Sequence, residues 1–380
     1  MPIKFVDLKA QYQEIGRRVE AEFAEIHSRS AYIGGQQVSA FEAEFGSFLG
    51  SKRVVGVGSG TDALRLALMA LGIGPGDEVI TAPMTFIATV EAIVQTGARP
   101  VFVDVDPVTG NISLPALTTY LEKGTFASPQ GPRAIVPVHL YGLPAPMTEL
   151  VRVARAFDLR IVEDACQAHG ASLIYDGKWA RAGTVGDAGC FSFYPGKNLG
   201  AWGEAGAVAT DDEGLAERIV HLRDHGRDSH YLHSAYGYNA RLDALQAAVL
   251  RAKLERLDTW NARRRQVAAL YSALLPRAGL QLPIEPEGFQ SCYHLFVIRS
   301  AVRDKIRAAL LDHEIECGVH YPVPLHLQPA CAHLGYRKGD FPIAESMAES
   351  VLSLPMHPHL TDHDVRFVVQ TVRSALTLSE

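Results

Sequence analysis

Cysteine is scarce in this chain and shows no pairing. The five cysteines (Cys166, Cys190, Cys292, Cys317 and Cys331) are an odd number and include no CxxC pair. That argues against a disulfide scaffold and for reduced thiols in a cytoplasmic protein. Long apolar runs are missing too. No uncharged apolar run of about 18 residues occurs, so no transmembrane helix is expected. Glu91 and Arg99 interrupt the best candidate. The opening residues 1–15 carry charges within their first apolar stretch and lack the apolar core and small-residue cleavage site of a signal peptide. Positive charge is in slight deficit, 36 Lys+Arg against 42 Asp+Glu for a net −6. A nucleic-acid binder would carry a basic face instead. No internal repeat and no low-complexity segment is seen. What remains is an ordinary globular composition, 47% hydrophobic over 380 residues. It excludes disordered and coiled-coil classes, and the length exceeds one comfortable core.

Hydrophobic spacing organises the chain. Residues 8–28 and 36–49 carry apolar positions at helical steps, with Val38, Phe41, Phe45 and Phe48 on one face. From Val54 the pattern switches to short β-rich runs alternating with helical stretches. The strands are expected at 54–57, 78–82, 100–103, 134–138 and 160–163. The helices are expected at 62–71, 86–95, 114–121 and 147–157. Strand, helix, strand at this spacing means βαβ units and a mostly parallel sheet. Two close runs, 189–193 and 206–210, suggest an antiparallel addition. Residues 241–275 lack Pro and Gly and read as one or two long helices, and Pro276, Pro283 and Pro286 then mark a boundary. The expected division is a large domain over 1–275 and a smaller α+β domain over 276–380. The smaller one has a strand at 294–299 and helices at 302–313, 342–352 and 362–376.

Three segments could carry chemistry. Gly58-Ser-Gly-Thr-Asp62 follows a strand and opens a helix. Free backbone N–H groups and the helix dipole make such a place an anion site; the alternative is a tight turn capped by Thr61 or Asp62. The frame Gly58, Gly60, Ala63 fits a relaxed dinucleotide fingerprint. The acid expected about 20 residues on is missing, however, which disfavours an oxidoreductase. Asp164 closes the strand at 160–163 at the edge where parallel sheets bind ligands; the alternative is a capping acid. Lys197 follows the apolar strand 189–193 in a Pro-Gly turn, where desolvation would make an amine nucleophilic; the alternative is an exposed turn lysine. A fourth segment, Arg223–Arg227 with Gly237–Asp243, reads as an ordered loop or a plain connector. His169, His326, His333, His357 and His359 read as packing or surface histidines, and no spacing among them indicates a metal site. A phosphate nest, a buried carboxylate and a strand-end lysine together are what a pyridoxal phosphate site needs.

These residues resemble a known family. GSGTDALRLAL (58–68), EDACQAHGA (163–171), FSFYPGKNLGAWGEAGAV (191–208), RDHGR (223–227) and GYNARLDALQAAVL (237–250) occur in order. The likeness runs from FVDLKAQY (5–12) to LSLPMHPHL (352–360). The set is similar to the DegT/DnrJ/EryC1/StrS sugar aminotransferases. That resemblance implies an α/β, aspartate aminotransferase-like fold of type I. Its mostly parallel, seven-stranded-type sheet is flanked by helices, with a smaller C-terminal α+β domain. It also implies pyridoxal 5'-phosphate as cofactor, L-glutamate as amino donor, a keto nucleotide sugar as acceptor, and a homodimer with shared active sites. Lys197 would form the Schiff base and shuttle the proton, and Asp164 would pair with the ring nitrogen. Gln167 would bond near the ring hydroxyl. Gly60, Thr61 and Ser192 would bind the phosphate, Phe86 would stack on the ring, and Asn239 would reach the neighbouring subunit's cofactor. The segment GVHYPVPLHLQP (318–329) resembles members acting on 3-keto sugars, which makes His320 and Tyr321, with Tyr194, the expected substrate contacts. The chain departs from the family's Gly-Glu/Asp-Gly-Gly at Ala205, with Trp202 beside it. Three other readings stand beside this one. They are a 4-keto acceptor, a dehydratase (which would replace Lys197 by histidine), and a non-catalytic regulator that kept the fold.

Overall fold

The computed structural model describes residues 2–129 and 131–377. Two helices open the chain, α1 (Leu8–Arg29) and α2 (Gly35–Leu49). The α2 stripe predicted from spacing is the face that packs, with Val38, Phe41 and Phe45 buried. The alternating region follows: β1 (Arg53–Val57), α3 (Gly60–Ala70), β2 (Glu78–Thr81), α4 (Ala88–Gln95), β3 (Arg99–Phe102), α5 (Leu114–Lys123), β4 (Pro132–Val136), α6 (Met147–Ala156) and β5 (Arg160–Asp164). A hairpin, β6 (Ser172–Tyr175) and β7 (Lys178–Arg181), precedes β8 (Ala188–Ser192) and β9 (Gly206–Thr210). Next come α7 (Glu213–Arg223), a ribbon of β10 (Arg227–Ser229) and β11 (Leu232–His233), and α8 (Ala244–Leu274), a single helix. The chain ends with β12 (Phe289–Gln290), β13 (Phe296–Arg299), α9 (Arg303–Asp312), α10 (Pro342–Ser350), β14 (Val351–Leu354) and α11 (Asp362–Thr377).

The central sheet has seven strands in the order β1-β9-β8-β5-β4-β2-β3. β9 pairs antiparallel with both β1 and β8, and every other neighbour pair is parallel. The antiparallel addition expected at 189–210 is this β8–β9 pair. Parallel strands must be covered on both faces. α3 and α7 pack on one face around Leu64, Leu66 and Ile219, and α2 and α8 pack near β8 on the other. Under β8, Phe41, Phe45, Phe191 and Phe193 interlock. Phe45–Phe191 and Phe41–Phe193 meet edge to face with ring centres 5.1 and 5.3 Å apart. Such pairs add about 0.5–1.5 kcal/mol each beyond area burial, and they fix the strand that ends at Ser192.

A second core gathers β13, β14, α9, α11 and the end of α8 around Phe296, Ile306, Leu352 and Val368. Here the expected helix over 342–352 stops at Ser350, and Val351–Leu354 is a strand paired with β13. Four residues paired to partners 52 to 58 positions earlier carry no local signal that separates them from a helix tail. No sequence expectation covered the β6–β7 hairpin, α7, the β10–β11 ribbon or the short β12. All five cysteines are free, and no helix among the described residues is long and apolar enough to cross a membrane.

Candidate active site

The site lies at the carboxyl edge of the parallel strands. Here β1 leads into α3, β2 leads into α4, β5 ends in Asp164 and β8 ends in Ser192. The start of α3 is squeezed between two strands. A Cβ at Gly60 would lie 2.5 Å from Ser192 Cβ, and one at Gly206 would lie 2.2 Å from the Ser59 carbonyl. Only glycine lets the backbone approach this closely. The squeeze places the first N–H groups of α3 beside the Ser192 side chain. The helix cap is Ser59, not Thr61 or Asp62. Its Oγ accepts from Asp62 N at 3.0 Å and donates to Asp62 Oδ2 at 2.9 Å. Because Ser59 takes the capping role, Gly60 and Thr61 stand inside the first turn, where N–H groups have no helical partner.

Asp164 is buried. Its Oδ2 accepts from Thr89 Oγ1 at 2.7 Å and its Oδ1 from Cys166 N at 3.2 Å. The preceding residue, Glu163, faces the other way and organises the neighbouring loop. Burial pushes its carboxyl up, but bonds from His139 Nε2 and from the backbone N–H groups of Gly183, Val185 and Gly186 outweigh that and hold it low.

Lys197 sits in a tight turn. Its N–H donates to Tyr194 O at 2.9 Å, and Ala201 N closes back onto Phe193 O at 2.7 Å. Burial lowers the pKa of its amine, while Cys166, Asp164 and Cys292 act against that. Lys197 and Asp164 therefore act on one another electrostatically. Three imidazoles near the amine are kept neutral, chiefly by burial and next by Lys197. His169 is pushed down to about 3, His320 to about 4, and His294 well below its usual range.

Gln167 links the two halves of the site. Its Oε1 accepts from Tyr141 N at 2.8 Å, and its Nε2 donates to Tyr321 Oη at 3.2 Å. Tyr321 lies 6.1 Å, ring centre to ring centre, from exposed Phe86. His320 is fixed by Ser353 at 2.8 Å and stacks on Phe5 at 5.8 Å, and its carbonyl accepts from Tyr141 Oη. Tyr194 is exposed at the rim. Lys197, Asp164, Gly60, Thr61, Ser192, Phe86, Gln167, His320, Tyr321 and Tyr194 thus come to one edge of the sheet. Asn239 does not join them. It is exposed, its Oδ1 accepts from Arg241 at 2.9 Å, and the backbone beside it pairs with Asp224. His169 is packed between Phe191 and Phe193. Ala205 is buried outside the left-handed region, so its methyl strains nothing.

Sequence reading missed four contributors: Thr89, Tyr141, Asn198 and His294. Asn198 Nδ2 donates to Asn261 Oδ1 at 2.8 Å and to Cys292 O at 2.9 Å, which leaves its Oδ1 to face His294 Nδ1 at 3.3 Å. Their partners across the site lie from 26 to 179 positions away in sequence. Among the described residues, no group of three or more His, Cys, Asp or Glu side chains could hold a metal.

A desolvated amine after a strand, a buried acid that acts on it and a helix start pinched against a serine could together hold an anionic carbonyl compound. An aromatic and a glutamine flank where such a ring would lie. These features define the lysine-dependent class of fold-type I enzymes. The chain belongs to the DegT/DnrJ/EryC1/StrS aminotransferase family, whose pattern spans residues 13–373. It is 45% identical over 372 residues to a dTDP-3-amino-3,4,6-trideoxy-alpha-D-glucose transaminase of Streptomyces venezuelae, covering 98% of this chain and 95% of that one. It is 41% identical over 375 residues to a pleiotropic regulatory protein of Geobacillus stearothermophilus, covering 98% of each. Among solved structures, S. venezuelae DesV in complex with a ketimine intermediate superposes with a TM-score of 0.92. The two are 44% identical, with 98% of each chain covered.

Proposed function

We propose that this chain transfers an amino group from L-glutamate to a 3-keto sugar carried on dTDP or UDP, using pyridoxal 5'-phosphate. The broader activity, nucleotide-sugar aminotransfer, is that of its family relatives. The observation that carries the reading is the Lys197 amine, desolvated by burial and acting on Asp164 beside the start of α3. When bound, the cofactor supplies an aldehyde for the amine and a ring that accepts electrons.

The donor set fits that group. Gly60 and Thr61 offer backbone N–H groups, and Thr61 and Ser192 offer hydroxyls, to a phosphate. Asp164, with both oxygens already oriented by Thr89 and Cys166, would face a cationic ring nitrogen. Phe86 would cover the ring and Gln167 would border its polar edge. Because burial lowers its pKa, the Lys197 Nζ is a better nucleophile and a better base than an exposed lysine. As a free base its Nζ would accept and hold the proton taken from the donor's Cα, a contribution of about 10²–10⁴-fold. Neutral His320 and Tyr321 lie where the acceptor sugar would enter. We assign Asn239 to the cofactor phosphate of a second copy of the chain, which requires a homodimer.

The test is to load the protein with pyridoxal phosphate, add L-glutamate and follow conversion to the pyridoxamine form by absorbance. The pyridoxamine form is then offered 3-keto and 4-keto nucleotide sugars, and the product is identified by mass and NMR. Amination of only 4-keto sugars would replace the acceptor assigned here. One observation favours a second reading, the regulatory name of the Geobacillus relative. A loaded protein that shows no spectral change with any amino donor would favour that reading.

A further inference from the structure

The acid that ends β5 is held by a threonine to which no motif drew attention. Thr89, in the first turn of α4, is 2% exposed, and its Oγ1 donates to Asp164 Oδ2 at 2.7 Å. Thr85, equally buried, lies 3.1 Å from the Thr89 hydroxyl. A carboxylate accepts only, and a hydroxyl has a single proton to give. Asp164 therefore takes the Thr89 proton, and the Thr85 hydroxyl supplies the proton of the next bond. The chain runs one way, from Thr85 through Thr89 to Asp164. On the other side, Cys166 N donates to Oδ1, so the two carboxylate oxygens are pinned from two separate elements.

The same turn carries Phe86, whose carbonyl accepts from Thr89 N at 3.2 Å. One short segment thus presents a buried donor to the acid and an exposed ring to the site. Packing alone does not explain the hydroxyl, since valine has the same shape and avoids burying a polar group.

We propose that Thr89 is a positioning residue. Its hydroxyl fixes the plane in which Asp164 meets the cofactor's ring nitrogen and ties that plane to the turn bearing Phe86. This rests on the cofactor reading given above. The test compares wild type, Thr89→Val and Thr89→Ser. The measurements are the Kd for pyridoxal phosphate by equilibrium dialysis, the visible circular dichroism of the bound cofactor, and kcat and KM for the glutamate half-reaction. Hydrogen bonds to charged groups are worth enough that Thr89→Val weakens binding about 10- to 100-fold. It also alters the dichroic band and lowers kcat with little change in KM, whereas Thr89→Ser behaves as wild type.

A Thr89→Val protein with wild-type affinity and band overturns the proposal. So does a Thr89→Ser protein that fails like Thr89→Val, because packing of the methyl would then be the cause. Should Thr89→Val not fold, Thr85→Val removes only the outer donor and weakens cofactor binding about 2- to 10-fold; unchanged binding and band there also overturn it. Wild-type protein that binds no pyridoxal phosphate sinks the cofactor reading instead, so the two failures are distinct.

Discussion

Two lysines in this molecule have their amines weakened by desolvation, and they differ in almost everything else. Lys253, inside α8, is 1% exposed and donates to the neutral Gln11 Oε1 at 2.9 Å, and burial pushes its amine down to about 8. Lys197, in the turn after β8, keeps partial exposure and acts on Asp164 and Cys166. Desolvation weakens the hold of both amines on a proton. Of the two, only Lys197 keeps partial exposure and acts on an acid, Asp164. Burial alone makes an amine reactive in principle, and the neighbours decide whether anything can reach it.

The largest effect that would sharpen this contrast is loss of Lys197. Lys197→Ala is expected to abolish the glutamate half-reaction, with the general-base contribution alone worth about 10²–10⁴-fold. Lys253→Met should leave the rate unchanged. Retained turnover in Lys197→Ala, followed by absorbance, would show that another amine does the work.

Gly60→Ala comes next. Its Cβ meets Ser192 at 2.5 Å, so the nest must open. Overpacking of this kind costs about 1–3 kcal/mol, read as a lower melting temperature together with weaker cofactor binding. A variant with wild-type affinity would show that the close approach is not needed.

Lys253 should reveal itself through stability. Its folded pKa, about 8, lies below the unfolded value of 10.5. Between those values the unfolded chain binds more protons than the folded one, so stability rises with pH across that window and is flat below it. Lys253→Met should erase that rise and stabilise the protein at pH 7 by about 1–3 kcal/mol. Urea titrations at pH 7 and pH 10 measure both. The smallest change is Ala205→Gly, which restores the family's glycine. It frees the unfolded chain and costs about 0.4–1 kcal/mol, with the half-reaction rate unaltered.

What was legible in the sequence follows from the range of the interactions. The βαβ alternation, the Phe41–Phe45 face of α2 and the strand-end positions of Asp164 and Lys197 are written in local spacing. The β6–β7 hairpin was signalled locally as well, by Asp176-Gly177, both of which adopt positive φ (49° and 73°), a two-residue hairpin turn. α7 likewise shows a capping Asp212 bonded to Leu215 N at 3.0 Å. Those signals were present but unread. Thr89 was not readable in this way. At a helix start a threonine looks like a cap, and its partner Asp164 stands 75 residues on. The Asn198–His294 contact spans 96 residues and is equally silent. Residues that hold the proposed catalytic groups in place are chosen by the fold, whereas the groups themselves sit at or just after strand ends that periodicity can find.

The most direct measurement is borohydride reduction of the protein loaded with pyridoxal phosphate, followed by peptide mass mapping. The account predicts a pyridoxyl group on Lys197 and none on Lys253. Label on Lys253 or another lysine, with Lys197 unmodified, would contradict it.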